Sequence, residues 1–316
     1  MASAAPARGI LLCPTPVDSA SVHAAFLELA GDRPIHVWPD LPDPEQIGCI
    51  VAFRVPRGVF ALLPNLRLIH GTGAGMNHML VDPELPRHLP MARVVADAVT
   101  QGMAQHCLHA ILRELREHRV YDRLQREKTW QRRVQIDAAT WPVGIMGLGA
   151  LGTGLAEHLV RLGFAVRGWS RSAKQVPGVE SFAGPDRKHA FLSGCRAVVV
   201  LLPLTAETTG SLDAAALAAM PRGAVVIAAG RGGQVDEAAL LAALDSGQIG
   251  HAHLDVMATE PLPPESPLWS HPDVTLTPHV AAAPNGVALA RLVLENLDRL
   301  ENGRELLFPV DPIRGY

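Results

Sequence analysis

Apolar positions along this chain fall into short unbroken runs separated by stretches of helical periodicity. In the first hundred residues the runs are 8–13 (RGILLC), 47–53 (IGCIVAF) and 66–70 (LRLIH). A helix is predicted over 19–30, with Asp18 as its N-cap. Residues 98–120 predict one long helix. Its apolar positions 103, 104, 107, 108, 110, 111, 112 and 115 cover more than one stripe, as in a helix buried from several sides. Such a helix either connects domains inside a core or turns one side to a second subunit. From residue 142 the runs recur at 143–146, 164–167, 197–202, 224–229, 250–256 and 274–276. Helices are predicted at 151–162, 213–219 and 236–245. Continuous apolar strands alternating with helices imply an α/β fold whose parallel sheet is covered on both faces. A last helix, 285–302, puts Leu289, Leu292, Val293, Leu297 and Leu300 on one stripe, with Gly303 at its C-terminal cap.

Composition narrows this picture. The 316 residues suggest about two domains. Lys plus Arg is 28 and Asp plus Glu is 31, a formal net charge of −3, so no strong field exists for nucleic acid or anionic lipid. Arginines in 113–133 are interleaved with acids and read as a solvated helix face. No leader-like apolar segment opens the chain, and no 18-residue apolar run follows. The expectation is a cytoplasmic protein with neither membrane nor nucleic-acid partners. Four widely spaced cysteines (Cys13, Cys49, Cys107, Cys195) form no CxxC pair, which suits a reducing compartment. His106 and His109 lie one helical turn apart, and His251 and His253 share one strand face. Neither pair has an acidic or Cys partner at a known ligand spacing, so no metal is expected.

The most informative stretch is Gly147-Leu148-Gly149-Ala150-Leu151-Gly152, a G-x-G-x-x-G placed between a predicted strand and a predicted helix. The first glycine suits a tight turn, the second a close approach of backbone to pyrophosphate, and the third close helix–strand packing. The helix N-terminus then faces the anion. A dinucleotide site follows. An NAD site places an acid at the end of the next strand to take the ribose hydroxyls. Here that segment reads Trp169-Ser170-Arg171-Ser172-Ala173-Lys174, without an acid. Ser170, Arg171 and Lys174 are suited to a 2′-phosphate, so NADP(H) is expected over NAD(H).

Three further segments sit just past later strand ends, where ligands gather in an open parallel sheet. They contribute Arg231, Glu260 and His279. An Arg can fork a carboxylate, a His can exchange a proton with a carbonyl near neutral pH, and a Glu beside that His would orient it and favour the imidazolium.

With the glycine loop, these segments resemble the D-isomer-specific 2-hydroxyacid dehydrogenase family over nearly the whole chain. The resemblance also includes Leu201-Leu202-Pro203-Leu204-Thr205-Ala206-Glu207-Thr208 and Gly73-Ala74-Gly75-Met76-Asn77, where Met76 and Asn77 depart from the family's usual GAGVD. GWSRSAK and TPHVAA are most similar to its glyoxylate/hydroxypyruvate reductase A type. The resemblance implies two Rossmann-like domains with parallel sheets and an active site in the cleft. The cofactor domain (99–284) would be inserted into a discontinuous substrate domain (1–98 and 285–316). It implies reduction of a small 2-keto acid to the D-2-hydroxy acid, in a homodimer. Arg231 would hold the substrate carboxylate and polarise the carbonyl, His279 would protonate the carbonyl oxygen, and Glu260 would keep His279 protonated. Backbone N–H groups at Ala74 and Gly75 would bind the carboxylate. Asp255 would bind the nicotinamide carboxamide. Trp169, Leu202, Pro203, Leu204, Thr208, Ala229 and Gly230 would line the cofactor. Phe53 and Arg54 after an early strand could shape substrate choice. An alternative is a dinucleotide-sensing scaffold, like the family's corepressor relatives. Formate-type relatives usually carry Gln where Glu260 stands, so Glu260-Pro261 favours keto acids over formate.

Overall fold

The computed structural model describes residues 7–13, 19–95, 97–282 and 285–312. The chain divides into two compact units, Met1–Val99 with Ala283–Tyr316, and Thr100–Ala282. The first unit opens with β1 (Gly9–Leu12), α1 (Ser19–Leu29), β2 (Ile35–Val37), β3 (Ile47–Ala52), β4 (Leu68–Gly71), α2 (Asn77–Leu80) and β5 (Met91–Ala92). Asp18, the expected cap of α1, lies outside the described residues. Among the described residues the strands pair in parallel in the order β2-β1-β3-β4-β5. Leu11, Ile50, Ile69, Met76 and Met79 form part of its core.

The second unit begins within α3 (Asp97–Leu115) and continues with α4 (His118–Arg126), β6 (Val143–Met146), α5 (Ala150–Arg161), β7 (Val166–Ser170), β8 (Val179–Ala183) and α6 (Lys188–Leu192). Then come β9 (Ala197–Val200), α7 (Ala214–Ala219), β10 (Ala224–Ala228), α8 (Glu237–Asp245), β11 (Ile249–Leu254) and β12 (Val274–Leu276). Its parallel sheet, counted over described residues, has the order β12-β11-β10-β9-β6-β7-β8. Successive side chains of a strand point to opposite faces, and both faces are packed here. Val198, Val200, Val226 and Leu254 meet Phe191, Leu217 and Leu240 on one side. Ile145, Val199, Val225 and Ile227 meet Cys107, Ile111, Leu155 and Leu159 on the other. This two-sided burial is why the strands read as unbroken apolar runs, and the expected parallel α/β fold is borne out. The sheet's order reverses between β6 and β9, so their loops splay apart and leave room for a ligand.

The last helix, α9 (Gly286–Glu301), returns to the first unit. It starts on an Asn285 cap whose side chain accepts from the Ala288 N–H, and Gly303 follows with φ 63°. Its Asn296 donates to Nε2 of the buried His70 (3.2 Å), whose Nδ1–H donates to the Gly71 carbonyl (2.8 Å). Burial holds His70 neutral, its pKa pushed down to about 4.

Two expectations are corrected. The single helix predicted over 98–120 is broken at Glu117, which adopts φ 54°. The Arg133 guanidinium holds its carboxylate through Nε (2.7 Å) and Nη2 (2.5 Å), anchoring the following extended segment there. The strand predicted at 164–167 runs instead over Val166–Ser170, so Trp169 and Ser170 close the strand rather than follow it. β2, β8 and α6 escaped the pattern. β2 is three half-buried residues, β8 carries exposed Glu180 and Ser181, and α6 is five residues long. Sheet edges lack the two-sided burial that marks central strands.

Candidate functional site

The loop after β6 is shaped by its glycines. Gly147 has φ 109° and donates its N–H to the Trp169 carbonyl (2.8 Å). A Cβ on Gly152 would lie 1.9 Å from the Gly147 carbonyl oxygen, so only glycine lets α5 approach the strand this closely. Leu148 is buried between them in the core, while Ala150 and Leu151 open α5 behind its Gly149 N-cap. A Cβ on Gly149 would meet no atom within 4 Å. The loop thus presents an open face to the first-turn N–H groups of α5, which have no partner within the helix. That is the arrangement a pyrophosphate requires.

At the end of β7, the Trp169 indole donates to the Gly184 carbonyl (2.8 Å). Ser170 is buried, and its hydroxyl donates to the Ser172 carbonyl (2.8 Å), inside its own turn. That donor is therefore committed to the turn. Arg171 and Lys174 are exposed and carry the positive charge of this segment. After β9, Leu202 is buried, Pro203 and Leu204 follow it, and Thr208 lies in the turn that comes next. The Thr208 hydroxyl donates to the Pro203 carbonyl and accepts from the Thr205 N–H (2.8 Å), so it holds the turn's shape.

After β10 the chain passes through Ala229 and Gly230 to Arg231. The Arg231 N–H donates to Gln234 Oε1 (3.0 Å), and its guanidinium Nη1 to the Gly230 carbonyl (2.7 Å). Gln234 is fully buried and also donates to the Leu202 carbonyl, joining the β9 and β10 loops. Burial lowers the Arg231 pKa from its ordinary value, against the raising effect of the Glu260 charge. An arginine nevertheless stays charged.

The β11 and β12 ends are tied together by Asp255, which is buried. Its carboxylate accepts from the Thr277 hydroxyl (2.6 Å) and the N–H groups of Val280 (2.8 Å) and Ala281 (2.9 Å). Its backbone carbonyl takes the His279 N–H (2.8 Å). His279 is held at φ 55°, a conformation uncommon for a non-glycine residue, and its Nδ1–H donates to Glu260 Oε2 (2.8 Å). The other carboxylate oxygen of Glu260 accepts from the Met257 N–H (3.0 Å). Burial pushes the Glu260 carboxyl up. The bonds from His279 and Met257 and the charges of His279 and Arg231 outweigh it and hold the carboxyl below its ordinary value. Both side chains are about one-third exposed (34% each), open to a ligand.

The structure therefore brings Arg231, Glu260, His279 and Asp255 together from three neighbouring strand ends. Ala74 and Gly75 lie in the first unit after β4. The turn there is braced by Val94 N–H to the Gly73 carbonyl (3.1 Å) and Arg93 Nη1 to the Ala74 carbonyl (3.1 Å). Arg54 is exposed beyond β3. Sequence reasoning missed Gln234 and Thr277. A buried amide and a threonine beside a Pro carry no motif of their own, and only the hydrogen bonds they make reveal them.

The family model for D-isomer specific 2-hydroxyacid dehydrogenase, NAD binding domain, matches residues 108–281. A glyoxylate/hydroxypyruvate reductase A from Salmonella paratyphi B is 39% identical over 256 residues, covering 79% of this chain and 82% of the relative. A protein of the same name from Yersinia enterocolitica is 35% identical over 280 residues, covering 87% and 89%. Among solved structures, a D-isomer specific 2-hydroxyacid dehydrogenase from Xanthobacter autotrophicus Py2 in complex with NADPH and MES is 40% identical. It superposes with TM-score 0.92, covering 98% of this chain and 100% of that one. An NADPH-dependent glyoxylate/hydroxypyruvate reductase from Sinorhizobium meliloti in complex with NADP and sulfate is 36% identical. Its TM-score is 0.93, with coverage of 98% and 100%.

Proposed function

The chain belongs to the D-isomer specific 2-hydroxyacid dehydrogenase family, and from that membership we propose that it reduces a small 2-keto acid of the glyoxylate or hydroxypyruvate kind to the D-2-hydroxy acid. NADPH is the preferred reductant, with NADH as the weaker alternative; the NADPH and NADP complexes of the relatives support this. The glycine loop fits the pyrophosphate, and Arg171 and Lys174 fit a 2′-phosphate. When bound, the nicotinamide supplies the hydride to the carbonyl carbon.

The observation that carries the reading is the His279–Glu260 pair (2.8 Å) beside the half-buried Arg231. With Nδ1 committed to Glu260, His279 has Nε2 left to give a proton to the carbonyl oxygen. Glu260 orients the ring and stabilises the imidazolium before transfer. Arg231 takes the substrate carboxylate and polarises the carbonyl. Asp255 holds the His279 loop, and its carboxylate retains acceptor capacity beyond its three bonds for the carboxamide. Ser170, Trp169, Leu202, Pro203, Leu204, Thr208, Ala229 and Gly230 shape the cofactor's surroundings. Ala74 and Gly75 offer backbone donors to the carboxylate.

In this reading residues 99–284 are the cofactor domain, and 1–98 with 285–316 the substrate domain. Among the described residues no helix is long and apolar enough to cross a membrane. We place the reaction in the cytoplasm, where the four free, buried cysteines stay reduced. A homodimer accounts for Trp130 and Val134, which are 98% and 90% exposed on the extended segment after α4.

The test is turnover of glyoxylate, hydroxypyruvate, pyruvate and phenylpyruvate with each cofactor, in wild type, His279→Ala and Arg231→Ala. His279→Ala should lower kcat by about 10²–10⁴-fold. Arg231→Ala should raise KM and lower kcat. Cofactor binding without turnover of any keto acid would favour the sensor reading instead.

A further inference from the structure

A second cluster of chemistry-bearing side chains lies in the same unit, outside the group just described. His251 and His253 on β11 have ring centroids 4.7 Å apart. Glu114, near the end of α3, reaches them from 139 residues away in sequence, with Oε1 3.0 Å from His253 Nε2. One ligand atom from each of the three residues lies within 4.8 Å of the other two. Asp273, just before β12, brings Oδ1 to 4.0 Å from His251 Nδ1. All three central side chains are at most 8% exposed. The expectation of no metal rested on the absence of an acid at ligand spacing along the chain. The fold supplies that acid across space.

His251 sharpens the case. Its Nε2 is hydrogen-bonded with the Thr275 hydroxyl (2.9 Å), which fixes the ring. Its Nδ1 is buried and has no hydrogen-bond partner among the described residues. A buried polar atom without a partner is costly and calls for an explanation. An unpartnered, buried imidazole nitrogen beside a second imidazole and a carboxylate is the donor set that a metal ion takes.

We propose that Glu114, His251 and His253, with Asp273 as a fourth ligand, form a binding site for a divalent transition-metal ion of the Zn²⁺ class. Two imidazoles and carboxylate oxygens suit a borderline dication and not Mg²⁺ or Ca²⁺, which take oxygen donors. Metal–donor distances of about 2.0–2.2 Å require the donors to draw together by roughly an ångström, within reach of side-chain rotation. The site competes with an internal cation. Arg119 Nε donates to both Glu114 oxygens (3.1 and 3.0 Å), and its Nη1 donates to Asp273 Oδ1 (2.9 Å). A dication would take over both carboxylates and release Arg119, which is already 31% exposed, to water. Two carboxylates then balance the ion's charge. Bound there, the ion would link α3 to β11 and to the approach of β12, the strands that lead into Asp255 and His279.

The experiment uses untagged, chelator-treated protein titrated with Zn²⁺ against a chromogenic zinc indicator, with Co²⁺ as a spectroscopic probe. Wild type should bind one ion per chain at this site, and Co²⁺ should show visible d–d bands of a low-coordinate nitrogen/oxygen site. The His251→Ala/His253→Ala variant should lose affinity by more than about tenfold. Arg119→Ala should bind more tightly than wild type, because the competing cation is gone. No saturable binding by wild type, or unchanged binding by the double variant, overturns the proposal. If the double variant fails to fold, Arg119→Ala still decides: affinity equal to or weaker than wild type overturns it. Keto-acid turnover plays no part in this readout, so the site stands or falls independently of the proposed reaction.

Discussion

The Nδ1 of His279 lies 2.8 Å from Oε2 of Glu260, and the backbone of His279 is held at φ 55° to keep it there. A left-handed backbone at a non-glycine residue is a local cost, met here by the hydrogen bonds of Asp255. The His279 N–H donates to the Asp255 carbonyl, and the Asp255 carboxylate gathers the residues on either side. The pair is thus held in place by a buried acid one strand away.

The pH dependence follows from Glu260. Its carboxyl is held below the ordinary value, so the folded state loses this group's contribution only as pH falls through that lowered value. The contribution is fully present above the unfolded carboxyl value. Activity should therefore persist into mild acid and drop below the usual carboxylate range. Glu260→Gln should lower kcat by about 10- to 100-fold and remove that acid limb. Rate–pH profiles of the two proteins check this, and superimposable profiles would contradict it.

Asp255→Ala strips an acceptor from the Thr277 hydroxyl and from the Val280 and Ala281 N–H groups. Leaving such donors unsatisfied should cost about 2–4 kcal/mol, read as a lower urea midpoint, together with a fall in kcat as the His279 loop loosens. Asp255→Asn keeps one carbonyl acceptor and should fall between the two.

The glycine loop offers a paired test. Gly152→Ala places a methyl 1.9 Å from a backbone oxygen, so the loop must move. A loss of about 1–3 kcal/mol and a weaker NADPH Kd are expected. Gly149→Ala meets nothing within 4 Å, so its Tm should hold while NADPH binding weakens, because the methyl enters the space left for the ligand. Calorimetry and fluorescence titration separate the two outcomes.

Cofactor choice should depend on the exposed charges after β7. Arg171→Ala/Lys174→Ala should lower kcat/KM with NADPH by about tenfold or more, the scale of a lost charge-assisted bond, and leave NADH nearly unchanged. Equal losses with both cofactors would assign those residues a structural role.

The chain by itself determined the parallel α/β architecture, because strands buried on both faces must be apolar throughout, as Ala197–Val200 and Ala224–Ala228 are. It also determined the glycine loop, since turn, opening and close packing each leave a residue-level mark at Gly147, Gly149 and Gly152. Arg231, Glu260 and His279 were legible as separate residues past strand ends. Their convergence was implied only by the family resemblance and not by the residues themselves, because it depends on β10, β11 and β12 lying side by side. Edge elements such as β8 and the break at Glu117 were hidden, since partial exposure and an ion pair with Arg133 leave no periodic signal. The same holds for Gln234, for the Asp255 clamp, and for Glu114 meeting His251 and His253. Hydrogen bonds and ligand sets depend on distances of a few ångströms between residues far apart along the chain. Only the packing of helix against sheet sets those distances.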